Sequence, residues 1–344
     1  MTKRHLMGQL LRLVPFGISR GLRQLHRGRF LTVLTYHRVL DKPADFPFDE
    51  DLISVSSAQF RQHLDFVTKH YDLYEFRMLR EYMEKYGHIP SKALIITFDD
   101  GYRDNYEVAW PILKEYGIPA TMFATAGFIG KRRMFWWDKI AYMIKTSEKN
   151  IIDSGPPTGI SIDISRFVDR QDAARHVIKN VKHFREEEKE ELISILSDQL
   201  EVTIDENDHE LTMTWQQLRE LGDNGIEIGA HSINHPIFSN IDEERLKDEV
   251  SGAKRMIEEN TGREVITFGS PGRGILTDEE RAKFDRNLMG IVAECGYSFS
   301  TLYRWGLGYE NSFNPYRVPR VSIESHDSAS IFGVKLAYPE LLTY

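Results

Sequence analysis

The strongest constraint on the fold is a series of short apolar segments separated by stretches with helical periodicity. Seven segments of five to seven residues have the length and the apolar, β-branched character of buried strands. They are Phe30–Tyr36, Ala93–Phe98, Ala120–Ala124, Ile226–Ala230, Val265–Gly269, Tyr297–Thr301 and Val318–Ile323. Because strands that alternate with helices form parallel sheets, the pattern predicts an α/β fold whose sheet is either open or closed into a barrel.

The helical stretches carry recognisable N-terminal signals. Ser57 precedes a helix with apolar residues at i, i+4 and i+7, and Thr214 forms a capping box with Gln217. Residues near 139 to 213 break the alternation, because they contain a glycine- and proline-rich turn and the charged helical stretch Arg175–Leu200. We interpret this span as a largely helical insertion between barrel units.

Charge is distributed unevenly along the chain. The net charge is −8 over 344 residues, yet the first 40 residues hold eight Lys and Arg and no acidic residue. Because the basic residues lie in one arm and the body is acidic, we expect no binding to nucleic acid. Cys295 is the single cysteine, which excludes an intrachain disulfide and fits a reducing compartment.

Residues 1–29 predict a basic amphipathic arm. Leu6, Leu10 and Leu13 recur at helical spacing between basic residues, which favours contact with anionic lipid. The alternative is an N-terminal helix that docks on the core. Arg12 interrupts the apolar stretch that a signal peptide needs, and no run of 18 apolar residues occurs. We therefore expect a cytoplasmic chain, peripheral at the inner membrane face.

Two adjacent aspartates follow the second strand segment. Asp99 and Asp100 stand before Gly101, which permits a sharp turn. Reactive groups of parallel α/β folds gather at the carboxyl ends of strands, but exposed turns often have the same composition. Two neighbouring carboxylates repel and each is costly to desolvate, so a metal ion, a division into charged and shared-proton roles, or full exposure to water must compensate.

Two histidines follow the fourth strand segment. His231 and His235 lie four residues apart, and on a helical turn they would face the same way, as metal ligation requires. The alternative is a pair of surface histidines. With one of the aspartates they make an N/N/O set that suits Zn²⁺, Co²⁺, Ni²⁺ or Fe²⁺ and leaves positions open for water. The second aspartate then remains ready to accept a proton.

The sequence resembles the polysaccharide deacetylases, which share the NodB homology domain and are grouped with carbohydrate esterase family 4. The segments Thr97–Tyr102 and His231–His235 carry the resemblance, and Phe268–Gly272 is weakly similar to a third motif. Further similarity extends over Tyr36–Val39, Phe135–Asp138 and Pro319–Ile323.

The resemblance implies a distorted (β/α)7-type barrel over 30–325, with the insertion at about 139–213 and a tail at 326–344. It also implies metal-dependent hydrolysis of N-acetyl or O-acetyl groups on a sugar, which stands in a polysaccharide, a lipid-linked glycan or a glycolipid. Asp99 is then the base, and Asp100, His231 and His235 hold the metal, most commonly Zn²⁺. Residues expected to bind the oxyanion or substrate are Gly272, Pro271, Tyr102, Trp136 and Trp137.

The chain departs from the family pattern at two groups, the general acid that protonates the leaving amine and the arginine that orients the base. His37 ends the first strand segment and fits the general acid of an N-terminally permuted variant, whereas His326 is the alternative. Gly269 stands where the family offers an arginine that orients the base. Arg320 or Arg273 is expected to replace it, although a structural salt bridge explains either residue equally well. Trp136 and Trp137 suit a sugar-stacking wall or a core position.

Two other functions are compatible with these residues. One is a hydrolase of the same superfamily that removes a formyl group or opens a cyclic amide. The other is a sugar-binding protein with a relict site, against which the intact aspartates and histidines argue.

Overall fold

The computed structural model of the chain describes residues 28–341, apart from 157 and 206–208, together with residues 16, 18, 21, 23 and 25. Seven strands form a closed barrel in chain order, and every neighbouring pair, including the first with the last, is parallel. They are β1 (Phe30–Tyr36), β2 (Ala93–Phe98), β3 (Thr121–Ala124), β4 (Glu227–Ala230), β5 (Thr267–Gly269), β6 (Phe299–Trp305) and β7 (Val318–Ser322). The closed (β/α)7-type barrel is therefore confirmed, and each predicted apolar segment supplies one strand.

Helices cover the barrel and continue into the insertion. They are α1 (Ser57–His70), α2 (Phe76–Tyr86), α3 (Trp110–Tyr116, preceded by a π-turn at Asn105–Ala109), α4 (Trp136–Thr146), α5 (Arg170–Val181), α6 (Glu186–Leu200), α7 (Trp215–Asp223), α8 (Glu243–Thr261), α9 (Asp278–Glu294) and α10 (Ala329–Ala337). Helix α7 begins at the predicted capping box of Thr214 and Gln217. The predicted cap of α1 is wrong by one residue, because Ser56 accepts the hydrogen bond from the Gln59 amide.

Short strands complete the sheet outside the barrel. Asp72–Tyr74 pairs in parallel with β2, and Gly308–Tyr309 pairs antiparallel with β1. Arg38–Val39 pairs with Ile53–Val55 directly after β1. These additions leave the carboxyl ends of the barrel strands free to carry the loops described below.

The insertion has an apolar core of its own. It consists of α4, a hairpin of Ile151–Asp153 and Ser161–Asp163, α5 and α6. Its fully buried residues include Ile140, Ile144, Ala174, Val177, Leu192 and Leu196. Because this core is separate from that of the barrel, the insertion is a packed layer rather than a loose loop.

The described part of the N-terminal arm contacts the barrel's outer helices. The Phe16 ring lies 4.8 Å from Phe66 of α1, and Arg23 pairs with Glu340 at 2.6 Å. Leu6, Leu10 and Leu13 lie outside the described residues, so lipid contact and the cytoplasmic location stay predictions. No helix within the described ranges combines the length and apolarity that crossing a bilayer needs.

The C-terminal segment also packs on the barrel. Helix α10 lies in the span predicted as a tail, and its Phe332 stacks on the His63 ring of α1 at 3.8 Å. Phe332 and Leu336 belong to the main core. The last described residues therefore contribute a helix to the outer layer.

Candidate active site

The two aspartates lie at the carboxyl end of β2, in a strained turn. The Asp99 amide donates to the Tyr36 carbonyl of β1 at 2.9 Å, which continues the sheet for one residue. Asp100 then adopts a positive φ of 72°, and Gly101 one of 85°. Side chains are rare at such φ values, so the backbone cost must be offset by what the turn positions. Both carboxylates are buried, at 2% and 1% exposure.

The two histidines follow β4 in a loop. The predicted helical turn is wrong, because Ser232 and His235 have positive φ of 66° and 52° and no helix is formed there. The His231 Nδ1–H donates to the Gly269 carbonyl at 2.7 Å, which directs Nε2 toward Asp100. The His235 amide donates to Ser232 Oγ at 3.0 Å. The loop geometry therefore aims both imidazoles as the helical turn was expected to do.

A buried glutamate supports this loop. Glu249 of α8 accepts hydrogen bonds from the amides of Ile233 and Asn234, each at 2.8 Å, and from the Asn234 side chain at 2.9 Å. It is 3% exposed. Sequence reasoning missed Glu249, because it lies on the apolar face of α8 and only its burial distinguishes it from the other acidic residues of that helix.

Asp100, His231 and His235 converge on one point. The Nε2 atoms of both histidines lie 3.4 Å from Asp100 Oδ1. Both Asp100 oxygens are buried and form no hydrogen bond of good geometry with the described residues. A buried carboxylate without partners is costly, and a divalent cation between these three side chains would supply the missing partner. The residues present thus fit a metal ion, and the donor set suits zinc.

The protonation states agree with ligation. Burial raises the pKa of Asp100, but the interactions with His231 and His235 outweigh it and hold the pKa well below its ordinary value. Burial lowers the pKa of His235 more than Asp100 raises it, which favours the neutral imidazole. A carboxylate and neutral imidazoles are the forms that bind a metal.

The arginine of the last strand reaches the second aspartate. Arg320 Nη1 lies 2.7 Å from both oxygens of Asp99, and Nη2 lies 3.4 Å from the Ser270 carbonyl. Arg273, the alternative, pairs with Asp285 at 3.1 Å instead. The structure therefore brings Arg320, and not Arg273, to the expected base.

Gly269 stands where the family pattern has an arginine, and the packing around it leaves no room for a side chain. A Cβ on Gly269 would lie 2.7 Å from Cγ of Phe123 and 3.1 Å from Nδ1 of His231. A side chain there would collide with Phe123 and displace His231, which belongs with Asp100 and His235 to the candidate metal triad. The guanidinium must then come from elsewhere, and β7 supplies it.

A cavity of about 440 Å³ opens onto these groups. Its lining includes His37, Asp99, Asp100, Trp136, Trp137, His231, His235, Gly272 and Arg320. His37, which is half-buried after β1, donates its amide to Ser54 Oγ at 2.9 Å. His326 does not line the cavity, is 66% exposed and pairs with Glu324. The structure therefore brings His37 to the site and leaves His326 outside it.

Two residues predicted to bind substrate do not reach the cavity. Tyr102 is fully buried, donates its hydroxyl to Asp138 at 2.7 Å and accepts from Trp137 Nε1 at 2.8 Å. Pro271 is also buried and outside the lining. The structure therefore does not bring Tyr102 or Pro271 to the cavity, since packing directs the first inward and covers the second.

The tryptophans lie between the cavity and the core. Both line the cavity at the start of α4. The Trp137 ring meets the His235 ring edge-on at 4.7 Å, and its indole N–H is held through Tyr102 by Asp138. Burial raises the pKa of Asp138 to about 7. Asp138 was missed as a site residue, although it directly follows the two tryptophans.

Comparison with known proteins supports the resemblance. A sequence profile described as polysaccharide deacetylase matches residues 87–156 and 172–300. The poly-beta-1,6-N-acetyl-D-glucosamine N-deacetylase of Staphylococcus aureus (strain MSSA476) is 39% identical over 90 residues, which make up 26% of this chain and 30% of that protein. The matched region thus spans less than a third of this relative's length.

Two solved structures share the fold. The Streptococcus pyogenes deacetylase PplD in complex with acetate has a TM-score of 0.56 at 16% identity and covers 89% of this chain and 98% of its own. IcaB from Ammonifex degensii has a TM-score of 0.55 at 18% identity, and the match covers 91% of this chain and 97% of IcaB. At these identities the likeness concerns the fold alone.

The profile match extends over more than half of the chain. It includes the turn with Asp99 and Asp100 and the loop with His231 and His235. It leaves out β1 and β7, which bring His37 and Arg320 to the cavity. On this match the chain belongs to the polysaccharide deacetylase family.

Proposed function

We propose that the chain is a metal-dependent deacetylase that hydrolyses the N-acetyl group of an amino sugar within a glycan. The observation that carries the proposal is the buried carboxylate of Asp100, which has no hydrogen-bond partner among the described residues and faces two imidazoles. The matched Staphylococcus aureus relative is named for an N-acetylglucosamine polymer, which supports a sugar substrate. The amino sugar could belong to a polysaccharide, a lipid-linked glycan or a glycolipid. The same residues could also hydrolyse an O-acetyl group.

The metal would be held by Asp100, His231 and His235. Zn²⁺ is the ion that this donor set suits best, with Co²⁺, Ni²⁺ or Fe²⁺ as substitutes. When bound, a divalent cation supplies Lewis acidity toward the acetyl carbonyl and toward water. The Gly269 carbonyl fixes the orientation of His231, and Glu249 fixes the loop that carries His235.

Asp99 would act as the general base. Its carboxylate lies beside the triad, with Oδ2 3.9 Å from His231 Nε2, and is oriented by Arg320. In that place it accepts a proton from the attacking water, whose oxygen forms the new bond to the acetyl carbon. Arg320 would then be a positioning residue, because it holds Asp99.

His37 and Gly272 would complete the reaction. Both line the cavity with Asp99. The backbone N–H of Gly272 is the candidate donor to the developing oxyanion. Protonated His37 gives its proton to the sugar nitrogen as the C–N bond breaks, so the products are acetate and a free amine.

The test measures metal content and acetate release in parallel. Purified chain, chelated chain and chain reloaded with Zn²⁺ are assayed on a panel of N-acetylated, O-acetylated and N-formylated sugars. We expect one bound metal, loss of acetate release after chelation, and recovery on reloading. The zinc-induced rise in Tm, which follows binding without turnover, should be lost in His231→Ala and retained in His326→Ala. Acetate release that survives complete chelation would contradict the proposal.

A further inference from the structure

One wall of the cavity comes from the insertion and not from the barrel. Arg175, Ile178, Lys179 and Lys182 line the same space as Asp99 and the metal triad. They lie on or directly after α5, at spacings of three, four and seven residues from Arg175, which place them on one helical face. Substrate that enters the site therefore passes a helix face with three cationic side chains.

The acidic groups near this face already have partners. Asp51 is held by Arg175, through Nε at 2.6 Å and Nη2 at 2.8 Å. Asp49 accepts from the Gln171 side chain at 3.0 Å and from the Asp51 amide at 3.1 Å. Burial raises the pKa of Asp49. Both carboxylates attract the Lys182 ammonium from a distance, but neither lies within 4.0 Å of it.

The two lysines, by contrast, are uncommitted. Within the described ranges no carboxylate oxygen comes within 4.0 Å of either the Lys179 or the Lys182 ammonium. Lys182 is accessible to water yet surrounded by protein, and this partial burial lowers its pKa. The attraction between lysines and the end of a helix explains their place in the last turn. It does not explain why both line the cavity.

Space for a substrate group exists beside the third-motif loop. A Cβ on Gly272 would meet no atom within 4 Å, so no side chain fills this part of the cavity. Arg273 also lines the cavity, but Asp285 holds it at 3.1 Å. The open space and the two uncommitted ammonium groups thus belong to one cavity.

We propose that the sugar deacetylated here carries an anionic group, a phosphate or a carboxylate, that binds to Lys179 and Lys182. The inference rests on the proposed function, because it names the substrate class of the same site. An ammonium group pairs with an anion through charge-assisted hydrogen bonds, and two such groups in one cavity attract it together. A neutral glycan would leave both lysines without a partner.

The test compares two double variants. The first, Lys179→Met/Lys182→Met, removes the two ammonium groups from the cavity. The matched Lys149→Met/Lys247→Met variant loses the same two charges from exposed positions outside the cavity lining. Acetate release is measured on three probes, which are a neutral chitin oligosaccharide, UDP-N-acetylglucosamine and a hyaluronan oligosaccharide. The second probe presents phosphates and the third presents carboxylates.

We expect the cavity pair to lose about tenfold more in kcat/KM on a charged probe than on the neutral one, which corresponds to about 1.4 kcal/mol. The matched pair should show no such difference. A response to one charged probe alone supports the inference and identifies the anion. Equal losses on all three probes, or equal behaviour of the two variant pairs, would overturn it.

Direct binding separates this inference from the proposed function. Each probe is titrated calorimetrically into the Asp99→Asn variant at low and high salt, with and without the two lysine substitutions. If no sugar releases acetate, the deacetylase proposal fails. Salt-sensitive binding of a charged probe that disappears with the lysines would still support the anion site, whereas unchanged binding would refute it.

Discussion

Asp99 and Asp100 are chain neighbours with different partners, and that difference underlies the separate roles proposed for them. Asp100 faces two imidazoles and has no good hydrogen bond among the described residues, whereas Asp99 is held by Arg320 at 2.7 Å. The positive φ of Asp100 turns its carboxylate toward the histidines while Asp99 continues the strand. A single strained residue thus separates two like side chains, for which we propose proton transfer by Asp99 and metal binding by Asp100.

The division predicts separable effects of substitution. Asp99→Asn keeps the size of the side chain but cannot accept a proton, so kcat should fall by about 10² to 10⁴. Metal content should remain that of the wild type, because the triad is untouched. Acetate release and elemental analysis of the same preparation check both statements. Loss of the metal in Asp99→Asn would show that Asp99 is itself a ligand.

His37 is expected to protonate the leaving amine, and this role depends on the leaving group. His37→Ala should lower kcat on an N-acetyl sugar by about 10² or more, since an amine leaves poorly without a proton. An activated acetyl ester, whose leaving group needs no proton, should lose much less. His326→Ala is the control, because His326 is exposed and outside the cavity. Equal losses of His37→Ala on amide and ester would exclude the acid role.

At the scale of elements, β4 begins with a buried acid and ends directly before the candidate metal ligand His231. Glu227 begins β4, whose last residue, Ala230, directly precedes His231. Its carboxylate accepts from the Arg77 amide at 2.9 Å and from the Thr267 hydroxyl at 3.0 Å. Burial, and secondarily the nearby Glu75, raise the pKa of Glu227 to about 7. The strand therefore holds an acid that the folded protein prefers to keep protonated.

This raised pKa predicts a pH-dependent stability. Between an unfolded pKa of about 4.5 and the folded value, the native state binds more protons than the unfolded state. Stability from this group is therefore full below about pH 4.5 and is lost as the pH rises to about 7. Glu227→Gln can keep both contacts, since its amide oxygen accepts from the Arg77 amide and its NH2 group donates to the Thr267 hydroxyl. Between about pH 4.5 and 7, the free energy of unfolding of the variant should fall by about 1 to 3 kcal/mol less than that of the wild type.

Urea unfolding at a series of pH values measures the difference. Glu264→Gln is the matched control, because Glu264 has 59% of its side chain exposed and pairs with the same Arg77. We expect its pH profile to follow the wild type between pH 4.5 and 7. Parallel profiles of Glu227→Gln and the wild type would show that Glu227 titrates normally.

At the scale of the molecule, the barrel and the insertion divide the site between them. The expected metal ligands and the base come from β2 and from the loop after β4, whereas α4 and α5 supply the tryptophans and the lysines. The insertion has a separate apolar core, with Leu196 fully buried in it. Metal binding should thus depend on the barrel, and substrate binding on both layers.

This arrangement predicts different effects of two core truncations. Leu196→Ala should cost about 2 to 5 kcal/mol of insertion stability and raise KM, while zinc affinity stays unchanged. Leu246→Ala, in the helix that carries Glu249, is the comparison and should weaken zinc binding. Hydrogen exchange over 170–200 and zinc titration measure the two effects. A fall in zinc affinity with Leu196→Ala that equals the fall with Leu246→Ala would contradict the division.

Local patterns were sufficient for the barrel strands and for the expected metal ligands. Each strand is a short apolar run, and the aspartates and histidines directly follow two of these runs, so burial and chain proximity specify them together. Long-range packing settled the rest. Arg320 meets Asp99 across 221 residues of chain, Tyr102 turns inward to Asp138, and Lys179 lines a cavity that another layer completes. Such contacts depend on barrel closure and on where the insertion packs, and no periodicity of neighbouring residues encodes either.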